Sequence, residues 1–169
     1  MKRLAGRLPG WGTEPVALLE RRADRSARVA LAWRKPYWST EPELDLALVV
    51  HLWCNLRHSP WPGPHSVGLA QGLREVFDVA PDDDEHFTRL ARGLVAVVDL
   101  SLPSPLWKGQ LRNDLDSPEA VGLVRDIIVE HLPSWLAQAP ELEKELRSRS
   151  APRRDEHPWP VQRRYAPGW

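Results

Sequence analysis

Cysteine is nearly missing from this chain of 169 residues, with Cys54 as its one example. A single thiol excludes an intramolecular disulfide and every four-cysteine zinc pattern, and it fits a reducing compartment, so a cytoplasmic location is expected. Long apolar runs are missing as well. The longest, at 29–33, 46–50 and 94–98, hold five residues each, against about 20 for a membrane-spanning helix. The basic N-terminus is interrupted by Arg7, Pro9 and Gly10 before a signal-peptide core can form, and no membrane partner is expected. There is no phosphate-binding glycine loop, no GxSxG elbow, no HExxH and no CxxC. The common sequence signatures of catalysis are therefore absent, and the reading leans away from an enzyme.

Net charge is also absent, with 23 basic against 23 acidic side chains. The balance conceals a segregation. Residues 1–35 carry nine basic and three acidic groups, residues 36–146 are acidic, and 147–169 carry six arginines against two acids. Two basic ends thus flank an acidic middle, a pattern that suits docking on a protein or on phosphate. Phenylalanine and tyrosine are scarce, at two each, whereas tryptophan (9) and proline (17) are abundant. Each tryptophan brings a large apolar area and an N–H that wants a partner when buried, and each proline punctuates an element.

Periodicity reads as helical wherever it is present. Thr13 and Pro15 supply start signals for a helix to residue 34, with Val16, Leu19, Ala23, Ala27, Ala30 and Leu31 on one side. Arg21, Arg22, Arg25 and Arg28 then form the opposite face. Thr40 and Glu43 have capping-box spacing ahead of a helix, apolar almost all round, that runs to His58. Further helices are predicted at 65–77, at 81–100 with a possible short strand at its end, at 117–132 up to Pro133, and from Pro140. Gly68 and Gly72 would let the first of these approach a neighbour closely. Residues 101–116 read mainly as loop. The expected fold is an all-α, single-domain bundle of five or six helices with Pro/Trp-rich loops. The helical domain would cover 1–149 and an irregular basic and aromatic tail 150–169.

On this reading His51, Cys54 and His58 share one helical face, a candidate metal set. Seven residues of helical rise, about 10.5 Å, separate the two histidines, so only a pair completed by His65, His86 or His131 would serve. Packing is the preferred reading, with Cys54 acting as a small buried hydrophobe, and no metal or cofactor is expected. Asp82 with Glu85, and Asp114, Asp116 and Glu119, sit where helix N-termini attract acids. The candidate partner-binding residues are Arg21, Arg22, Arg25 and Arg28, together with Arg153, Arg154, Trp159, Arg163, Arg164, Tyr165 and Trp169 of the tail. That mixture anchors at protein hot spots or stacks on bases. The expected function is a non-enzymatic interaction module, an adaptor or small subunit that binds protein. The alternatives are a helical nucleic-acid-associated subunit and a metal-dependent enzyme around His51 and Cys54.

Overall fold

The computed structural model describes residues 17–21, 25–33, 49–59, 62–111 and 113–151. Among these the architecture is α/β. Strands β1 (Ala17–Arg21), β2 (Ser26–Trp33), β3 (Val49–Cys54), β4 (Arg57–Ser59) and β5 (Leu94–Ser101) form one sheet in the order β1-β2-β5-β3-β4. Between β4 and β5 the chain forms α1 (Pro64–Val76) and α2 (Asp84–Ala91). After β5 come a small hairpin of β6 (Trp107–Lys108) and β7 (Asp114–Leu115), then α3 (Glu119–Leu136) and α4 (Pro140–Ser150).

The expected all-α bundle is therefore wrong, and the error lies in two segments. In β2 burial alternates from Ala27 to Leu31, with Ala27, Val29 and Leu31 buried and Arg28 exposed and Ala30 half-buried between them; Ala32 and Trp33 are both buried. The alternation is a period of two, the signature of a strand with one covered face. Alanine suits either period, so the helical spacing of Ala27, Ala30 and Leu31 was coincidental. Val49–Cys54 is rich in apolar residues because it is an interior strand; an apolar run does not by itself separate a buried helix from a buried strand. Its valines and tryptophan favour the pleated alternative.

Strand β5 is the hub. It pairs antiparallel with β2 along its whole length and parallel with β3, from Val49↔Val95 to Cys54↔Leu100. Leu94, Ala96, Val98 and Leu100 are buried, while Val95, Val97 and Asp99 on the other face are only half-covered. The buried face meets α1 and α3, and the core joins Val29, Leu31, Leu52, Leu69, Leu73, Val124, Ile127 and Ile128. Trp33 is buried with its indole N–H donated to the Leu90 carbonyl at 3.2 Å.

The helices of the C-terminal half fall near their expected places, with local corrections. Helix α2 is capped by Asp83, one residue after the acid assigned from sequence; its carboxylate accepts from the His86 backbone N–H at 3.0 Å and also meets the His86 ring. Those contacts, the backbone one first, hold the Asp83 carboxyl below its ordinary range. The predicted helix over 81–100 is shortened by Gly93, whose φ of 75° turns the chain into β5. Helix α3 does not stop before Pro133 but runs through it to Leu136. Pro133 is exposed, so the carbonyl that loses its donor can face water.

Gly68 and Gly72 do permit close packing. A Cβ on Gly68 would lie 2.4 Å from the Val121 carbonyl oxygen, and one on Gly72 would lie 2.9 Å from Ile128 Cβ. Backbone of α1 therefore rests directly on α3. Gly68→Ala is expected to lower unfolding free energy by about 2 kcal/mol through overpacking, seen as a reduced urea midpoint at unchanged slope.

At the start of α1, His65 is buried and its Nδ1 has no hydrogen-bond partner. Burial pulls its pKa down to about 4, against a weaker upward pull from Asp114. The unfolded chain takes up this proton near pH 6.5, the folded chain only near 4. This contribution is thus intact above about pH 6.5 and is lost as pH falls toward 4, by up to about 3 kcal/mol. Urea titrations across that window should show a steeper fall for the native chain than for His65→Gln; parallel curves would contradict the assignment.

Candidate functional site

Because β3 and β5 run parallel, both end at the same side of the sheet, and the least conventional local structure gathers there. Cys54↔Arg57 closes a two-residue turn between β3 and β4. Its central residues, Asn55 (φ 50°) and Leu56 (φ 65°), are both left-handed, as a type I′ hairpin turn requires. Asparagine tolerates that region; leucine does so at a cost of about 1–2 kcal/mol. Asn55 is clamped against the end of β5: its Nδ2 donates to the Leu102 carbonyl at 2.7 Å, its Oδ1 accepts from Leu102 N–H at 2.9 Å, and its own N–H donates to the Leu100 carbonyl at 2.9 Å. With Asn55 so held, the turn is fixed and Leu56 is projected into solvent, 93% exposed.

The β6–β7 hairpin stands beside this turn. The Arg57 guanidinium lies over the Trp107 ring, 5.4 Å from its centre. Ser117 Oγ accepts from the Leu106 N–H at 2.7 Å, and the Leu106 carbonyl accepts from Asp116 N–H at 2.8 Å. Lys108 and Asp116 form an ion pair at 2.6 Å, which raises the lysine pKa. Leu106 is 57% and Leu111 is 80% exposed. Leu56 in the strained turn, Leu106 just before β6 and Leu111 between β6 and β7 are thus three large apolar side chains left in solvent. Sequence reading passes over them. Asn55 was the available signal for a left-handed turn, but it is followed by leucine rather than the glycine that marks such hairpins.

The candidate metal set is split. In a strand, neighbours three apart point to opposite faces: Cys54 is buried in the core, while His51 and His58 are exposed on the other side. Burial first, then the Asp99 and Glu119 charges, push the Cys54 thiol up to about 11, so it is a poor thiolate for metal or nucleophilic chemistry. The two histidines do come together, with ring centres 6.4 Å apart and Trp53 beside both. The proposed completing ligands are elsewhere: His65 is buried, His86 is bound to Asp83, and His131 lies beside Glu130 on α3. Among the described residues no group of three or more His, Cys, Asp or Glu is placed to hold a metal ion.

The arginine face also dissolves. Arg21 ends β1, Arg25 is exposed in the connection to β2, and Arg28 lies in β2, where it pairs with Asp99 of β5. No single helical surface carries them, because the segment is two strands. Arg22, and the tail candidates Arg153, Arg154, Trp159, Arg163, Arg164, Tyr165 and Trp169, lie outside the described residues. No helix among the described residues is long and apolar enough to cross a membrane.

A family model for DNA gyrase B matches residues 23–157. The chain is 26% identical over 130 residues to the DNA gyrase B protein of Micrococcus luteus, covering 72% of this chain and 17% of that protein. It is 27% identical over 124 residues to the gyrase B protein of Streptomyces coelicolor, covering 68% and 17%. Among solved structures, the 43K ATPase domain of Thermus thermophilus gyrase B, in complex with an aminocoumarin, gives a TM-score of 0.62 at 19% identity, over 88% of this chain and 40% of that one. Gyrase B of Myxococcus xanthus gives 0.59 at 20% identity, over 80% and 43%. These superpositions share the mixed α/β fold, and the chain spans less than a fifth of the curated relatives and less than half of the solved ones. The expectation of a non-enzymatic adaptor is overturned by these matches to a topoisomerase subunit. Of its alternatives, the nucleic-acid-associated subunit loses only its all-helical form, and the metal centre around His51 and Cys54 is not assembled, because the two side chains face opposite ways. With the family model matched along well over half of its length, the chain belongs to the DNA gyrase B family.

Proposed function

We propose that this chain works as one structural section of a gyrase B-type topoisomerase subunit, and that its apolar end is where it joins the remainder. The observation that carries this is the pair of coverages: 88% of this chain superposes on only 40% of an ATPase domain. ATP-driven change of DNA topology, the activity implied by the relatives' names, would then require parts that this section does not supply. On this reading its partners are the rest of the topoisomerase and, through that assembly, DNA; its location is the cytoplasm. Exposed Leu56 in the turn after β3, with Leu106 and Leu111 exposed before and within the β6–β7 hairpin, supports the second half of the proposal. A leucine held at φ 65° and 93% exposed gives the isolated section nothing that glycine would not give.

The test is reconstitution. The source organism's gyrase B-type subunit, with the segment matching residues 23–157 deleted, is assayed for DNA-dependent ATP hydrolysis with and without this chain. The chain alone should show no turnover, and the mixture should exceed the deleted subunit alone at least tenfold. Leu56→Asp should abolish that gain. Leu56→Gly should do the same while raising the chain's own stability by about 1 kcal/mol, since the left-handed strain is relieved. Turnover by the isolated chain, or no effect of the chain in the mixture, would contradict the proposal.

A further inference from the structure

The sheet face opposite the helices carries a compact group that the joining role does not use. His58 is directly opposite Trp53 in the β3–β4 register, so His51, two residues earlier in β3, is its diagonal neighbour on the same face. Diagonal neighbours on paired strands are within reach for long and aromatic side chains. The two imidazoles are exposed, with ring centres 6.4 Å apart and planes tilted by 35°. The indole of Trp53 lies 6.1 Å from His51 and 5.1 Å from His58.

We infer that His51 and His58 form a two-imidazole site for a divalent first-row transition-metal ion. Metal–nitrogen bonds of about 2.0–2.1 Å place two imidazoles on one ion with ring centres about 5–6 Å apart. The remaining gap of about 1 Å closes by side-chain rotation, which exposed histidines on a fixed hairpin can make. The donor set is two neutral nitrogens plus water. The thiol three residues along β3 points to the other face, and the nearby carboxylate, Asp99, opposite Trp53 in the β3–β5 register, is engaged by Arg28. Imidazole without carboxylate favours Cu²⁺, Ni²⁺ and Zn²⁺ over Mg²⁺ or Ca²⁺, with Cu²⁺ bound most tightly. Two protein ligands hold the ion exchangeably, so the fold does not depend on it. Trp53, within about one ring width of both ligands, reports occupancy through quenching by Cu²⁺ or Ni²⁺.

The experiment titrates the untagged chain with Cu²⁺ by calorimetry and by tryptophan fluorescence, alongside His51→Gln, His58→Gln, the double variant, Trp53→Phe and, as a control, His131→Gln. One ion per chain should bind to the native protein in its tightest phase. Each single histidine variant should lose at least tenfold in affinity, and His131→Gln should lose none. Trp53→Phe should keep the affinity and lose most of the quenching. Native protein and the double variant giving superimposable titrations would overturn the inference, as would Mg²⁺ binding at the same residues in preference to Cu²⁺. Both readouts are independent of ATP turnover, so they separate this site from the topoisomerase reading.

Discussion

The parallel pairing of β3 with β5 is the constraint from which the rest of the structure follows. Two parallel neighbours cannot be joined by a tight turn; the chain must travel back the length of the sheet before the second strand begins. Here the return is made by β4, α1 and α2. The helical layer covers the face that carries Leu52, Ala96, Val98 and Leu100, and leaves Val95, Val97 and Asp99 half-open on the other. The same pairing brings the last residues of both strands to one end. Asn55 can therefore clamp Leu102, forty-seven positions away in sequence. The clamped turn is a product of this alignment, and the two-histidine face is added by the β3–β4 hairpin that the turn closes.

Helix α1 fits against this arrangement because the line along which it meets α3 is marked by two glycines. Gly68 and Gly72 cost helix propensity, about 1 kcal/mol each relative to alanine, and in return let α1 rest on the backbone of α3. The core beneath can then be filled by leucines and isoleucines of α1 and α3 together with the alternating residues of β2 and β5. At the start of α1, His65 stays enclosed with one ring nitrogen unmatched.

The helices were largely legible from sequence, and most of the strands were not. Proline at the start of α1 and α4, acids at the start of α2 and regular apolar spacing in α3 each act locally, and locally they were sufficient. Strands β2 and β3 are decided by partners distant in sequence. Ala27 and Leu31 satisfy both a helical and an alternating period, and only pairing with β5 selects between them. The same reasoning explains the site. His51 and His58 were grouped for a helical reason that is false, and they meet for a hairpin reason that sequence spacing hides; Cys54 was included by that helical reason and is excluded by the strand.

The most direct test of this account is nuclear magnetic resonance of backbone amides in residues 49–59 and 94–101. Extended chemical shifts in both segments, cross-strand contacts placing Leu52 beside Val98 in parallel register, and the slowest hydrogen exchange in β5 are the predicted result. Helical shifts with contacts between residues three and four apart through 49–58 would contradict it, and with it the shared end of β3 and β5 on which the joining surface depends.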